Sequence, residues 1–166
     1  MVSPSEGQLQ NAARAVAELM QKRGWMLAVA ESCTGGWVAK VCTDLPGSSA
    51  WFERGFVTYT NESKQEMLGV NAQTLEAHGA VSEATAAEMV EGALRHSRAQ
   101  LSLAISGIAG PGGGSPDKPL GTVCFAWGAE GHPPFTERLC FEGDRDEVRR
   151  QAVLHALEGV LQRFND

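Results

Sequence analysis

The sequence predicts an α/β protein: a three-layer α/β/α arrangement with a mixed, mostly parallel sheet, built as a single domain over residues 1–166. Three observations carry the prediction. Short apolar runs of strand length are interleaved with longer stretches whose apolar residues recur at helical spacing. Two of those runs, Leu27 to Ala30 and Leu101 to Ser106, are short and mostly apolar, as strands covered on both faces tend to be. A chain of 166 residues, 43% hydrophobic and 20% charged, suffices for one core and falls short of two.

The elements follow in order. Glu6 to Arg23 sets Leu9, Ala12, Ala13, Val16, Leu19 and Met20 at helical spacing and stops at Gly24, a good C-terminal signal. Leu27 to Ala30 is a buried strand, followed by a helix over Thr34 to Asp44 that Leu45-Pro46-Gly47 closes. Trp51 to Thr60, rich in aromatic and β-branched residues, reads as a strand. Asn61 then caps a short helix through Leu68, with Lys64 in its first turn. Asn71 to His78 forms another short helix, and Ser82 caps a long one to about Arg95. After the strand Leu101 to Ser106, the segment Gly107 to Gly121 holds too much glycine and proline for a regular element and is expected as a loop. Val123 to Trp127 and Phe135 to Phe141 form an antiparallel pair, joined through Gly128 to Pro134. Asp144 and Glu147 stand as a capping box before a last helix that runs to about Phe164.

Composition narrows the function. A net charge of −6 argues against a nucleic-acid-binding surface and leaves room for a small anionic ligand in a local basic pocket. No apolar stretch approaches the roughly 20 residues that span a bilayer, and no basic leader precedes Glu6, so the expected address is the cytoplasm, with no membrane partner. Cys33, Cys42, Cys124 and Cys140 show no C-x-x-C pairing, and His78, His96, His132 and His155 lack ligand spacing. Reduced thiols, core roles for some of them, no metal and no cofactor are therefore expected.

Four segments carry possible chemistry. Glu31-Ser32-Cys33-Thr34-Gly35-Gly36 delivers two nucleophile types to an expected helix start, where unpaired N–H groups and the positive dipole end favour a developing oxyanion. In Tyr59-Thr60-Asn61-Glu62-Ser63-Lys64, a lysine in a first helical turn is electrostatically misplaced. Dipole and desolvation both push it toward the neutral amine that a serine-activating base requires. The loop from Ser106 and Gly107 to Gly114 follows a strand with glycines that let backbone N–H groups approach a ligand; it is neither a Walker loop nor a dinucleotide fingerprint. Arg145 and Arg149 share one face of the last helix, and Arg145 opposes the dipole unless an anion, or Asp146 or Glu142, compensates it.

Together these segments resemble the CinA C-terminal domain family, the nicotinamide mononucleotide deamidases of PncC type. The resemblance rests on A-E-S-C-T-G-G at Ala30 to Gly36, the stretch from Gly47 to Lys64, G-A-V-S-E at Gly79 to Glu83, S-G-I-A-G-P-G-G-G at Ser106 to Gly114, K-P-L-G-T-V at Lys118 to Val123 and F-E-G-D-R-D-E-V-R-R at Phe141 to Arg150. It implies hydrolysis of the carboxamide of nicotinamide mononucleotide to nicotinic acid mononucleotide and ammonia, in pyridine nucleotide recycling. By position it places the serine nucleophile at Ser32 and the lysine at Lys64, with Tyr59 as a third catalytic candidate. Cys33, Thr34, Gly35, Ser106, Gly107 and Arg145 are expected around the substrate, Ser106 standing where many relatives have threonine. A homodimer or larger homo-oligomer is implied too. Some members carry a preceding domain related to molybdopterin-binding proteins, which this chain is expected to lack. Two alternatives stand beside this reading: a Cys33-dependent amidase using Glu31 and Lys64, and a non-catalytic nucleotide-sensing or protein-interaction module.

Overall fold

The computed structural model describes residues 3–165, and local chemistry accounts for where most of its elements begin and end. Helix α1 (Glu6–Arg23) opens at Ser5, whose hydroxyl accepts the Gln8 N–H while the Gln8 side chain accepts the Ser5 N–H. It closes at Gly24 in a left-handed conformation, φ 67°. Strand β1 (Leu27–Glu31) is buried along its whole length. The next helix, α2 (Trp37–Thr43), begins three residues later than the sequence suggested. Gly35 and Gly36, at φ 57° and 100°, first carry the chain through a tight turn that other residues adopt only at a cost.

A single 3-10 turn (Ser48–Ala50) leads to strand β2 (Phe52–Val57), shorter than expected because Thr58 to Thr60 leave the sheet. Thr60, rather than Asn61, caps helix α3 (Asn61–Leu68): its hydroxyl accepts the Ser63 N–H. Helix α4 (Ala72–His78) follows, then α5 (Glu83–Arg95), capped by Ser82, and strand β3 (Leu101–Gly107). Past the glycine-rich loop come β4 (Thr122–Ala129) and β5 (Phe135–Cys140), then α6 (Arg145–Phe164), which starts at the expected Asp144–Glu147 capping box.

The sheet order is β2-β1-β3-β4-β5. β1 pairs in parallel with β2 and with β3, the latter in register Leu27↔Leu101 to Glu31↔Ile105, whereas β3–β4 and β4–β5 are antiparallel. Four strands therefore point one way and β4 alone opposes them. Side chains alternate across this sheet. Leu27, Val29, Leu103, Ile105, Phe125 and Trp127 face a core with α1, α2 and α6, while Ala30, Ala104, Cys124 and Ala126 face a second core with α3, α4 and α5. The second face carries small residues, so α5 lies close: a side chain at Gly128 would sit 2.4 Å from Val90 Cγ1. The first face carries bulky ones, and Trp127 fits only because α6 has Gly159 beneath its ring; its indole N–H donates to the Ala156 carbonyl at 2.9 Å. Cys42 and Cys124 fill core positions as expected. Among the described residues, no helix is long and apolar enough to cross a membrane.

Candidate active site

The strand order sets where a site can form. The chain leaves β1 toward β2 on one side and returns to β3 on the other. Crossovers of one hand therefore place α2 and α3–α5 on opposite faces of the sheet. A crevice opens where such connections diverge, beyond the carboxyl ends of β1 and β3. Ser32 follows β1 directly, Ser106 and Gly107 end β3, Tyr59 and Lys64 follow β2, and Arg145 begins α6. All six line one pocket of about 220 Å3, together with Cys33, Ala80, Val81 and Ala109.

At its floor, Lys64 Nζ lies 2.9 Å from Ser32 Oγ. The same nitrogen donates to the Thr58 carbonyl at 2.8 Å and, at 3.4 Å, to the Tyr59 carbonyl. Lys64 is 1% exposed, and burial lowers its amine below the ordinary value of 10.5. A neutral amine has two N–H bonds and one lone pair; two carbonyls take the former, and the lone pair is left for the Ser32 hydroxyl. Ser32 is held in turn by its N–H, which donates to the Ile105 carbonyl at 3.0 Å and so extends the β1–β3 ladder by one residue.

Glu31, immediately before Ser32, is fully buried and acts as a cap for α2. Its carboxylate accepts the Thr34 hydroxyl at 2.6 Å, the Val38 N–H at 2.9 Å and the Ala39 N–H at 3.0 Å. Burial raises its pKa, and these donors oppose the rise. The dipole end expected to greet an oxyanion is thus occupied by the protein's own carboxylate. The donors left over lie in the turn: among the described residues, the Cys33 N–H donates to no other residue.

The other expected residues divide into two groups. Ser106 lines the pocket but spends its hydroxyl proton on the Ala80 carbonyl at 2.7 Å, tying β3 to the segment before α5. Gly107 matters through what it lacks, since a side chain there would lie 2.7 Å from Val123 Cγ2 and 3.1 Å from Cys33 Sγ. The Tyr59 ring is exposed, and its hydroxyl accepts from Arg145 at 3.1 Å, so the backbone carbonyl, not the phenol, meets Lys64. Arg145 also donates to the Gly110 carbonyl at 2.8 Å; Asp146 is taken by Arg150 instead. Thr34 and Gly35, expected beside the substrate, line a separate hollow behind the turn with Trp37 and Arg149, because Thr34 is drawn to Glu31. Cys33 is 6% exposed, and burial pushes its thiol up to about 12, leaving no thiolate near neutral pH.

Sequence reasoning left one residue outside the site. Arg149 reaches from α6 to the Cys33 carbonyl (Nε, 2.9 Å) and the Thr34 carbonyl (Nη2, 3.3 Å), with its guanidinium 5.6 Å from the Trp37 ring centroid. The only signal was its spacing of four from Arg145. Among the described residues, no three His, Cys, Asp or Glu side chains cluster so as to hold a metal ion.

Residues 9–164 match the CinA C-terminal domain. The chain is 54% identical over 160 residues to the nicotinamide-nucleotide amidohydrolase PncC of Escherichia coli, covering 96% of this chain and 97% of that one. It is 50% identical over 147 residues to the protein of the same name from Pseudomonas putida, covering 89% and 91%. Among solved structures, the competence/damage inducible protein CihA of Agrobacterium tumefaciens superposes with a TM-score of 0.93 at 42% identity, over 100% of this chain and 99% of that one.

Proposed function

The chain belongs to the CinA C-terminal domain family, and from that membership we propose that it is an amidohydrolase converting nicotinamide mononucleotide to nicotinic acid mononucleotide and ammonia, with Ser32 as nucleophile and Lys64 as base. The observation that carries the chemistry is the 2.9 Å contact between Ser32 Oγ and a buried amine whose other partners are carbonyls. The names of the relatives at 46–54% identity supply the substrate.

The Lys64 lone pair takes the Ser32 hydroxyl proton as Oγ attacks the carboxamide carbon. The carbonyl oxygen becomes an oxyanion, and the free Cys33 N–H, on the residue after the nucleophile, donates to it. Collapse breaks the C–N bond, and the Lys64 ammonium gives its proton to the departing nitrogen, which leaves as ammonia. Water, deprotonated by Lys64, then attacks the ester carbon; the C–Oγ bond breaks, freeing the pyridine carboxylate and restoring the Ser32 hydroxyl. A volume of about 220 Å3 suits the pyridine ring and its carboxamide, below the roughly 300–1,000 Å3 of sites that engulf whole ligands. The ribose and phosphate extend to the mouth, where Arg145 offers its unused guanidinium donors to the phosphate. The acid product feeds pyridine nucleotide recycling.

Ammonia release from nicotinamide mononucleotide by the purified protein is the test. Ser32→Ala is expected to lower turnover by at least about 10³-fold, and Cys33→Ala to stay within about tenfold of wild type. Turnover kept by the first variant and lost by the second transfers the reaction to the thiol. Tight binding without ammonia from the wild-type protein leaves a sensor.

A further inference from the structure

The two Arg149 hydrogen bonds end on peptide groups that lead back to the nucleophile. Peptide C=O and N–H groups point in opposite directions across a trans bond, so a donor on the carbonyl both aims and polarises the N–H of the same unit. The only cis peptide among the described residues is Gly110–Pro111, so every unit of this turn is trans. Arg149 Nη2 donates to the Thr34 carbonyl; the N–H of that unit, on Gly35, donates at 3.1 Å to the Ser32 carbonyl. The unit that bears the Ser32 carbonyl carries the N–H of Cys33, which, among the described residues, donates to no other residue and belongs to a residue lining the pocket. A relay thus runs from a fixed cation through two peptides to the donor nearest the nucleophile. The second bond, from Nε to the Cys33 carbonyl, fixes the intervening peptide at 2.9 Å.

Arg149 cannot easily reorient. Its planar head is anchored on two consecutive carbonyls of the turn and packs beside Trp37, as does Arg150, 5.0 Å from the ring centroid. It contributes nothing to the pocket lining, so its effect on chemistry has to pass through the backbone. We infer that Arg149 is a positioning residue that orients and polarises the Cys33 N–H for the oxyanion. The inference rests on the Ser32–Lys64 reading of the site.

The test compares Arg149→Met, which keeps the stem, with Arg149→Lys, which keeps the charge but reaches one carbonyl at a time. Removing an oxyanion donor outright costs about 10²–10³-fold in kcat; misaiming it costs less. Arg149→Met is expected to lower kcat for nicotinamide mononucleotide by about 10- to 100-fold, with KM within about threefold of wild type and the pH midpoint of kcat/KM unmoved. Arg149→Lys recovers part of kcat at the same KM, and equal melting temperatures in the two variants separate this loss from unfolding. A folded variant with kcat within about threefold of wild type overturns the inference. So does a raised KM with normal kcat, which makes Arg149 a substrate ligand, or a shifted pH midpoint, which routes its effect through Lys64. If Arg149→Met does not fold, Arg149→Lys decides by the same readouts. Ser32→Ala measured alongside tells the failures apart: activity retained there removes the underlying mechanism whatever Arg149 does.

Discussion

Glu31 offers a test of whether the acid beside Ser32 holds structure or moves protons. Replacement by Gln keeps its volume and one acceptor oxygen. That oxygen can retain the Thr34 hydroxyl and the Val38 N–H, but the amide NH2 then faces the Ala39 N–H, donor against donor. One half-buried N–H loses its acceptor, at up to about 1–3 kcal/mol. The loss of a negative charge at the start of α2 adds about 0.3–2 kcal/mol. Against these stands relief from burying a carboxylate, since burial raises the Glu31 pKa. The net expectation is a loss of about 1–3 kcal/mol, which at about 2–4 °C per kcal/mol for a chain of this size lowers Tm by about 2–12 °C. Glu31→Ala leaves three donors unpaired and a cavity besides, enough to approach the whole stability of a typical domain, about 5–15 kcal/mol. Thermal melts followed by circular dichroism give the stability, and ammonia release gives kcat, expected to fall about tenfold as the turn bearing Ser32 shifts. An unchanged Tm with kcat down about 10³-fold would refute the capping role and put Glu31 in the chemistry, reviving the Glu31–Lys64–Cys33 alternative.

Three further outcomes are expected. Because Lys64 must be neutral to accept a proton and burial lowers its pKa, kcat/KM should fall tenfold per unit as pH drops below a midpoint under 10.5; a flat profile, or a midpoint at the ordinary value, removes the amine as base. Stability carries the matching sign: between the lowered and ordinary values the unfolded chain binds the proton and the folded one does not, so wild type gains stability with rising pH relative to Lys64→Met in melts across that window. For Arg145→Met, the KM for nicotinamide mononucleotide should rise about 10- to 100-fold, as expected for hydrogen bonds to a charged group worth about 1.5–3 kcal/mol, while turnover of the phosphate-free riboside is unchanged. Equal losses on both substrates assign Arg145 to holding Tyr59 and the Gly110 loop instead.

Features governed by neighbours within three or four residues were legible in the sequence. The capping boxes at Ser5–Gln8 and Asp144–Glu147, the Gly24 stop and the Ser82 cap all appear where local hydrogen bonding predicts them. The site segments were legible too, because strand ends followed by glycine or a capping residue mark the carboxyl edge of a parallel sheet. The start of α2 was not. Its cap comes from a carboxylate seven and eight residues upstream of the N–H groups it serves, outside the window of ordinary caps, and two glycines at positive φ postpone the helix. Ser106 lines the pocket at the end of β3, but its partner, the Ala80 carbonyl, lies 26 residues away. Arg149 reads as a surface helix residue until the fold brings it to carbonyls 116 and 115 positions earlier. Such contacts leave no periodic trace.

The parallel pairing of β1 and β3 also sets an order of assembly. Ser32 and Lys64 both lie within residues 27–64, a stretch that a growing chain completes early, yet β1 stays bare along one edge until Leu101 to Ile105 arrive, 74 residues further along. Loop closure over that span is entropically slow to satisfy, so it comes late in folding. Until then Ser32 lacks the Ile105 carbonyl that fixes its backbone, and the opposite wall from Ser106 to Ala109 is missing. A partly made chain therefore carries Ser32 and Lys64 without the backbone bond and the pocket wall that β3 and its following loop supply.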